Sequence, residues 1–153
     1  MAATWRPARP DDDEAVVSLV RLLYSEDPSP EAVPDAHTRR TLEAFRASPR
    51  RGRAVVLDDG TGVAGYALLA SFWSNELGGE TCEVDELYVA APRRGRGHAP
   101  RLLCELAAGS ELWGSRPAAV CLQVTAENRR ARALYRRLGF VESKNTFMVL
   151  RAR

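Results

Sequence analysis

Between Leu87 and Leu103 the chain reads Leu-Tyr-Val-Ala-Ala-Pro-Arg-Arg-Gly-Arg-Gly-His-Ala-Pro-Arg-Leu-Leu. This is an apolar strand, a basic turn with two spaced glycines, and a helix that opens at the turn. Such an order demands an α/β architecture, and the turn itself has the make-up of a phosphate cradle. Gly95 and Gly97 are free to take positive φ and to let a ligand approach the main chain closely. The first turn of the following helix leaves amide N–H groups without internal partners. Those donors, the positive end of the helix dipole and the side chains of Arg93, Arg94 and Arg96 all favour a polyanion.

Two familiar nucleotide-binding turns do not fit. A dinucleotide-binding turn needs Gly-x-Gly-x-x-Gly in the opening unit of a parallel sheet and an acidic residue at the end of the next strand. Here the third glycine is missing, the turn lies past the middle of the chain, and the strand-like run Ala118 to Val124 is followed by Thr125. A P-loop needs Gly-Lys-Ser/Thr, which does not follow.

At 153 residues with 45% hydrophobic content, one domain spanning 1–153 with a sizeable core is expected. No apolar run approaches the roughly 18 residues of a membrane span, and the first residues lack a secretion-signal pattern, so a cytoplasmic protein without a membrane partner is expected. A net charge of +2 gives no sign of a dedicated nucleic-acid binder. Cys82, Cys104 and Cys121 are an odd, unpaired set that argues against disulfides or a zinc site, and His37 stands alone. No metal is expected.

Hydrophobic periodicity orders the elements. A strand over Thr4–Ala8 precedes a helix capped by Asp11, with Val16, Leu19, Val20 and Leu23 on one face. A proline-punctuated acidic connection leads to a second helix bearing Thr38, Thr41, Leu42 and Phe45. Strands are expected at 54–57, 63–72, 82–89, 118–124, 140–143 and 146–151. A third helix is expected at 96–108 and a fourth at 128–138, the latter with Asn128 as N-cap and Gly139 past its end.

The segment Leu122-Gln123-Val124-Thr125-Ala126-Glu127-Asn128, then Ala131, Leu134-Tyr135 and Leu138-Gly139-Phe140, together with Arg94-x-x-Gly97-x-Ala99, closely resembles the GNAT superfamily of acyl-CoA-dependent N-acetyltransferases. Trp5 to Asp12 is similar to the first strand and helix start of that family, and Gly65-Tyr66-Ala67 to its third strand. The resemblance implies a mixed, mostly antiparallel sheet of about seven strands flanked by about four helices, with acetyl-CoA as co-substrate.

The resemblance also implies roles. Tyr135 matches the tyrosine that protonates the departing CoA thiolate, which is sensible chemistry for a thiol of pKa about 8.5. Asn128 matches a CoA-contacting asparagine. Leu87 and Val89 match the strand whose main chain receives the pantetheine arm, the Val89 amide polarising the thioester carbonyl. Arg94, Gly95, Arg96, Gly97, His98 and Ala99 match the cofactor cradle, though relatives usually carry an aliphatic residue at His98. Pro100 cannot donate an amide to phosphate. Gln123 stands where acetylases of protein N-termini often carry a glutamate.

An acceptor amine must lose a proton before it attacks, and a carboxylate is a suitable base. The resemblance makes Asp85 the first candidate and Glu86 the second, since family members acting on polyamines or aminoglycosides often carry an acidic residue at the first position and sometimes another at the second. Strand alternation places Glu83, Asp85, Leu87 and Val89 on one face and Val84, Glu86 and Tyr88 on the other. Acidic residues also crowd two regions that border the acceptor site in the family, Glu76 to Glu86 and Glu26 to Asp35. The expected activity is acetyl transfer to the primary amine of a small cationic acceptor, such as a polyamine, an aminoglycoside or an amino-acid derivative. Acetylation of proteins or peptides and a catalytically silent acyl-CoA-binding module are the alternatives. Homodimers are common in the family.

Overall fold

The computed structural model describes residues 2–152 and resolves them into two compact units, one ending at Gln123 and the other beginning at Val124. The first unit contains β1 (Thr4–Pro7), α1 (Asp13–Glu26), α2 (Asp35–Ala47), β2 (Gly52–Asp58), β3 (Val63–Ser74), β4 (Gly79–Val89), α3 (His98–Ala108) and β5 (Ala119–Leu122). The five strands form one sheet in the order β1-β2-β3-β4-β5. The first three pairings are antiparallel, and β4 pairs with β5 in parallel.

Each helix buries the stripe its sequence prescribes. Val16, Leu19 and Val20 of α1 and Leu42 of α2 pack on Val56, Tyr66, Leu68 and Tyr88 of the sheet, with Leu23 and Phe45 at the margin. The other face of the sheet presents Val55, Leu57, Ala67 and Leu69, and α3 buries Leu102, Leu103 and Leu106 as it packs against β4 and β5. The residue at the N-cap position of α1 is Asp12 rather than Asp11, and its side chain does not cap the helix: its carboxylate accepts from the Arg9 amide at 2.7 Å and pairs with Arg6. Between β2 and β3, the Asp59 carboxylate accepts from the Thr61 and Gly62 amides and closes the hairpin turn.

One irregularity corrects the sequence reading. In the β3–β4 ladder Leu68 pairs with Glu86 and Leu69 with Val84, so Asp85 is an extra residue bulged out of β4. Strict alternation therefore fails at Asp85. Glu83 joins Glu86 and Tyr88 on the face covered by α1, and Val84 joins Leu87 on the opposite face.

The second unit carries α4 (Arg129–Arg137). The Asn128 carboxamide oxygen accepts from the Ala131 amide at 3.2 Å, the expected N-cap. Gly139 takes φ 99°, and the amides of Gly139 and Phe140 donate to the carbonyls of Arg136 and Tyr135, a Schellman close. The strands expected at 140–143 and 146–151 are not formed, which leaves five strands instead of about seven. A strand needs a ladder partner, and this unit supplies none. Among the described residues, no helix is long and apolar enough to cross a membrane.

Candidate active site

The bulge at Asp85 sets the chemistry of β4. Ala90 donates to the Ala64 carbonyl at 2.8 Å, so positions 90, 88 and 86 hydrogen-bond to β3 while the main-chain groups of Leu87 and Val89 point the other way. On that side, pairing with β5 stops at Val84 and Leu122. Among the described residues, the amides of Leu87 and Val89 thus line a strand edge without a ladder partner. The Val89 carbonyl is engaged by the Arg94 guanidinium, whose Nε donates to it at 2.7 Å.

Glu86 projects toward α1 and is held from two sides. The Tyr24 hydroxyl donates to one carboxylate oxygen and the Tyr66 hydroxyl to the other, each at 2.7 Å. Burial pushes the Glu86 carboxyl above the ordinary carboxylate range, the two hydroxyls pull it down, and the neighbouring Asp85 charge adds to the upward shift. Burial also raises both phenols, so they stay protonated and act as donors. Asp85 reaches solvent at the bulge, yet the surrounding protein desolvates its carboxyl enough to raise it as well. Two adjacent carboxylates with raised affinity for a proton stand beside an open main-chain edge.

Neither Tyr24 nor Tyr66 was singled out from the sequence as functional. The only signal for Tyr24 is its place four residues after Val20, at the edge of the buried stripe of α1. For Tyr66 it is a polar-tipped residue inside an apolar strand.

The acidic connection is partly spent on structure. Glu26 accepts from Arg94 at 2.7 Å and from the Tyr88 hydroxyl at 3.1 Å, and Arg94 also lies over the Tyr88 ring, 5.0 Å from its centroid. Asp35 pairs with Arg21. Asp27 remains close enough to Tyr24 for its charge to raise that phenol.

The glycine turn has the geometry its composition predicts. Gly95 and Gly97 take φ 76° and 78°, and nothing lies within 4 Å of where a Cβ would stand on either. No side chain caps α3 at Gly97, so the first amides of the helix are without an intrahelical partner. The flanking arginines divide their tasks. Arg93 pairs with Asp59 at 2.7 Å, Arg94 braces β4 and α1, and Arg96 alone of the three has no partner among the described residues.

In the second unit, Tyr135 stands on the same face of α4 as Ala131, Leu134 and Leu138. Its ring packs against Phe140 at 5.6 Å between centroids, and burial pushes its phenol up.

Comparison with known proteins matches this arrangement to one family. A family model described as "Acetyltransferase (GNAT) family" matches residues 17–140. Among solved structures, an integron cassette protein from the mobile metagenome of Cole Harbour Salt Marsh is 27% identical, with 97% of this chain and 90% of that one covered and a TM-score of 0.77. A possible acetyltransferase from Clostridium difficile 630 is 19% identical, covered over 100% and 99% of the two chains, with a TM-score of 0.80. A predicted acetyltransferase from Clostridium acetobutylicum, solved with acetyl-CoA, is 19% identical over 97% and 96% of the two chains, with a TM-score of 0.74. No curated protein matches.

Proposed function

The chain belongs to the GNAT family of acetyltransferases, and from that premise we propose that it acetylates the primary amine of a small cationic acceptor by direct attack in a ternary complex. Acetyl-CoA is the co-substrate and supplies an acetyl group activated as a thioester. The observation that carries the choice of acceptor is the pair Asp85 and Glu86. Both are desolvated, and both lie on the strand whose open edge is formed by Leu87 and Val89.

The amines of such acceptors arrive as ammonium ions, attracted by carboxylates and by the charge of Asp27. A carboxylate whose pKa stands above the ordinary range is a better proton acceptor than a free one. Glu86 is the preferred base, because two tyrosine hydroxyls fix its position; Asp85 supports it with negative charge. The Val89 amide polarises the thioester carbonyl as a preorganised donor. The cradle from Arg94 to Ala99, chiefly the main chain around Gly95, Gly97, His98 and Ala99, takes the pyrophosphate, with Arg96 adding charge. Asn128 both caps α4 and contacts the cofactor, and Tyr135 returns a proton to the leaving thiolate. A phenol raised by burial keeps its proton at neutral pH, as a general acid must.

The test is a thiol-release assay with acetyl-CoA and a panel of polyamines, aminoglycosides, amino acids and short peptides, run with wild type and Tyr135→Phe. Turnover confined to one cationic class, reduced about a hundredfold or more in the variant with acetyl-CoA affinity nearly unchanged, is the expected result. Turnover on peptides alone would move the acceptor to protein substrates. An undiminished Tyr135→Phe rate would remove the acid role.

A further inference from the structure

The face of the sheet that carries Glu86 continues past the bulge. In the β3–β4 ladder Leu68 pairs with Glu86 and Ala70 with Glu83, so the two glutamates stand on one face with two residues of β3 between their rows, about 7 Å along the strand. Phe72 comes next on that face of β3. It pairs with Thr81, which makes it the diagonal neighbour of Glu83 across the two strands. Cys121 of β5 pairs with Glu83 from the other side.

Glu83 and Phe72 are both uncommitted. The buried Thr81 hydroxyl donates to the Glu83 carboxylate at 2.9 Å and fixes its direction. Glu83 is half-buried, and no cation pairs with it among the described residues. Other acids of the region are spent elsewhere. Glu80 lies on the opposite face and accepts from the Ser71 hydroxyl at 2.6 Å, while Glu26 and Asp35 are in ion pairs. The Phe72 ring is 58% exposed, and Ala70 offers only a methyl group opposite Glu83, so β3 does not fill the space beside the carboxylate. An oriented carboxylate next to an exposed aromatic ring is the complement of an ammonium ion, which gains a charge-assisted hydrogen bond from the first and the negative face of the second.

We propose that Glu83 and Phe72 set acceptor specificity by holding a second ammonium about 7 Å from the amine at Glu86, so that the acceptor is a linear α,ω-diamine with a spacer of about four or five methylenes. This deepens the acetyl-transfer reading and rests on it. The reacting ammonium gives one proton to Glu86, and its nitrogen bonds to the acetyl carbon as the C–S bond breaks. A second proton lost from that nitrogen balances the one taken up by the thiolate, and the distal ammonium keeps all of its protons.

The test compares α,ω-diamines of increasing length with n-alkylamines of the same length, acetyl-CoA being the donor and thiol release the readout. Wild type is expected to favour the diamine about tenfold in kcat/KM at a spacer of about four or five methylenes, and less at shorter ones. Glu83→Gln keeps an acceptor for Thr81 and brings that ratio close to one. Phe72→Leu keeps an apolar side chain without the ring and lowers the ratio about threefold. Calorimetry of tetramethylenediamine against n-butylamine on the CoA-loaded protein reads the same preference without catalysis. A wild type that binds and turns over both amines equally overturns the subsite and leaves the acetyl-transfer reading in place, as does a Glu83→Gln variant that weakens both equally. A diamine held preferentially through Glu83 yet never acetylated upholds the subsite and overturns that reading. Binding of neither amine overturns both.

Discussion

At Glu86 burial and hydrogen bonding act in opposite senses on one proton, and burial wins. A base must be ionised, so with Glu86 as the proposed base kcat/KM is expected to rise with pH through its titration. The acidic limb of the profile is expected above the ordinary glutamate value of about 4.3. Tyr24→Phe removes a donor that favours the carboxylate and moves this limb to higher pH. A net hydrogen bond of about 1.4 kcal/mol corresponds to about one pH unit. Glu86→Gln abolishes the limb and lowers kcat/KM by about a hundredfold or more. A pH–rate series on the three proteins separates the carboxylates. A limb that survives Glu86→Gln and ignores Tyr24→Phe belongs to Asp85 or to the acceptor itself.

At the scale of elements, two glycines with similar backbone angles have different duties. Gly97 opens α3 at φ 78° and Gly139 closes α4 at φ 99°. Alanine at either position strains the backbone by about 1–2 kcal/mol, so the thermal midpoints of Gly97→Ala and Gly139→Ala fall by comparable amounts. A methyl group meets nothing within 4 Å at either position, but only Gly97 stands in the turn where the first amides of α3 have no side-chain cap. Calorimetry with acetyl-CoA is expected to show weakened binding for Gly97→Ala and nearly unchanged binding for Gly139→Ala. Equal affinity in both variants would remove the turn from cofactor recognition.

For the molecule as a whole, Arg6 ties the start of the sheet together. It donates to Asp12 at 2.8 and 3.0 Å and to Asp58 at 2.9 Å, joining β1, the turn before α1 and the end of β2. The Arg6 hydrogen bond lowers Asp12 despite its burial, and the Gly60 amide followed by Arg6 lowers Asp58. A carboxyl depressed in the folded state contributes stability that is present above its unfolded value, about 3.9, and is lost as pH falls through the folded value. Asp85 and Glu86, raised in the folded state, act with the opposite sign and destabilise as pH rises through their titration. Asp12→Asn is therefore expected to lower the thermal midpoint at neutral pH and to flatten its decline below about pH 4. Melting curves that run parallel from neutral to acid would show that Asp12 carries none of the acid sensitivity. By itself the sequence determined what depends on neighbours along the chain. The buried stripe of α1, the Asn128 and Gly139 limits of α4, the hairpin at Asp59 and the glycine turn are all set by short-range periodicity, capping and backbone freedom. Tertiary structure alone decided the rest. The extra residue at Asp85 exists only relative to β3, and it exchanged the faces of Glu83 and Val84; the hydroxyls that hold Glu86 lie 62 and 20 positions away in the chain. His98 lies buried with both ring nitrogens unpartnered, its carbonyl held by the Trp5 indole from 93 positions away in the chain. The apolar segment after Gly139 stayed unpaired because a strand is a property of a ladder and not of one stretch of chain.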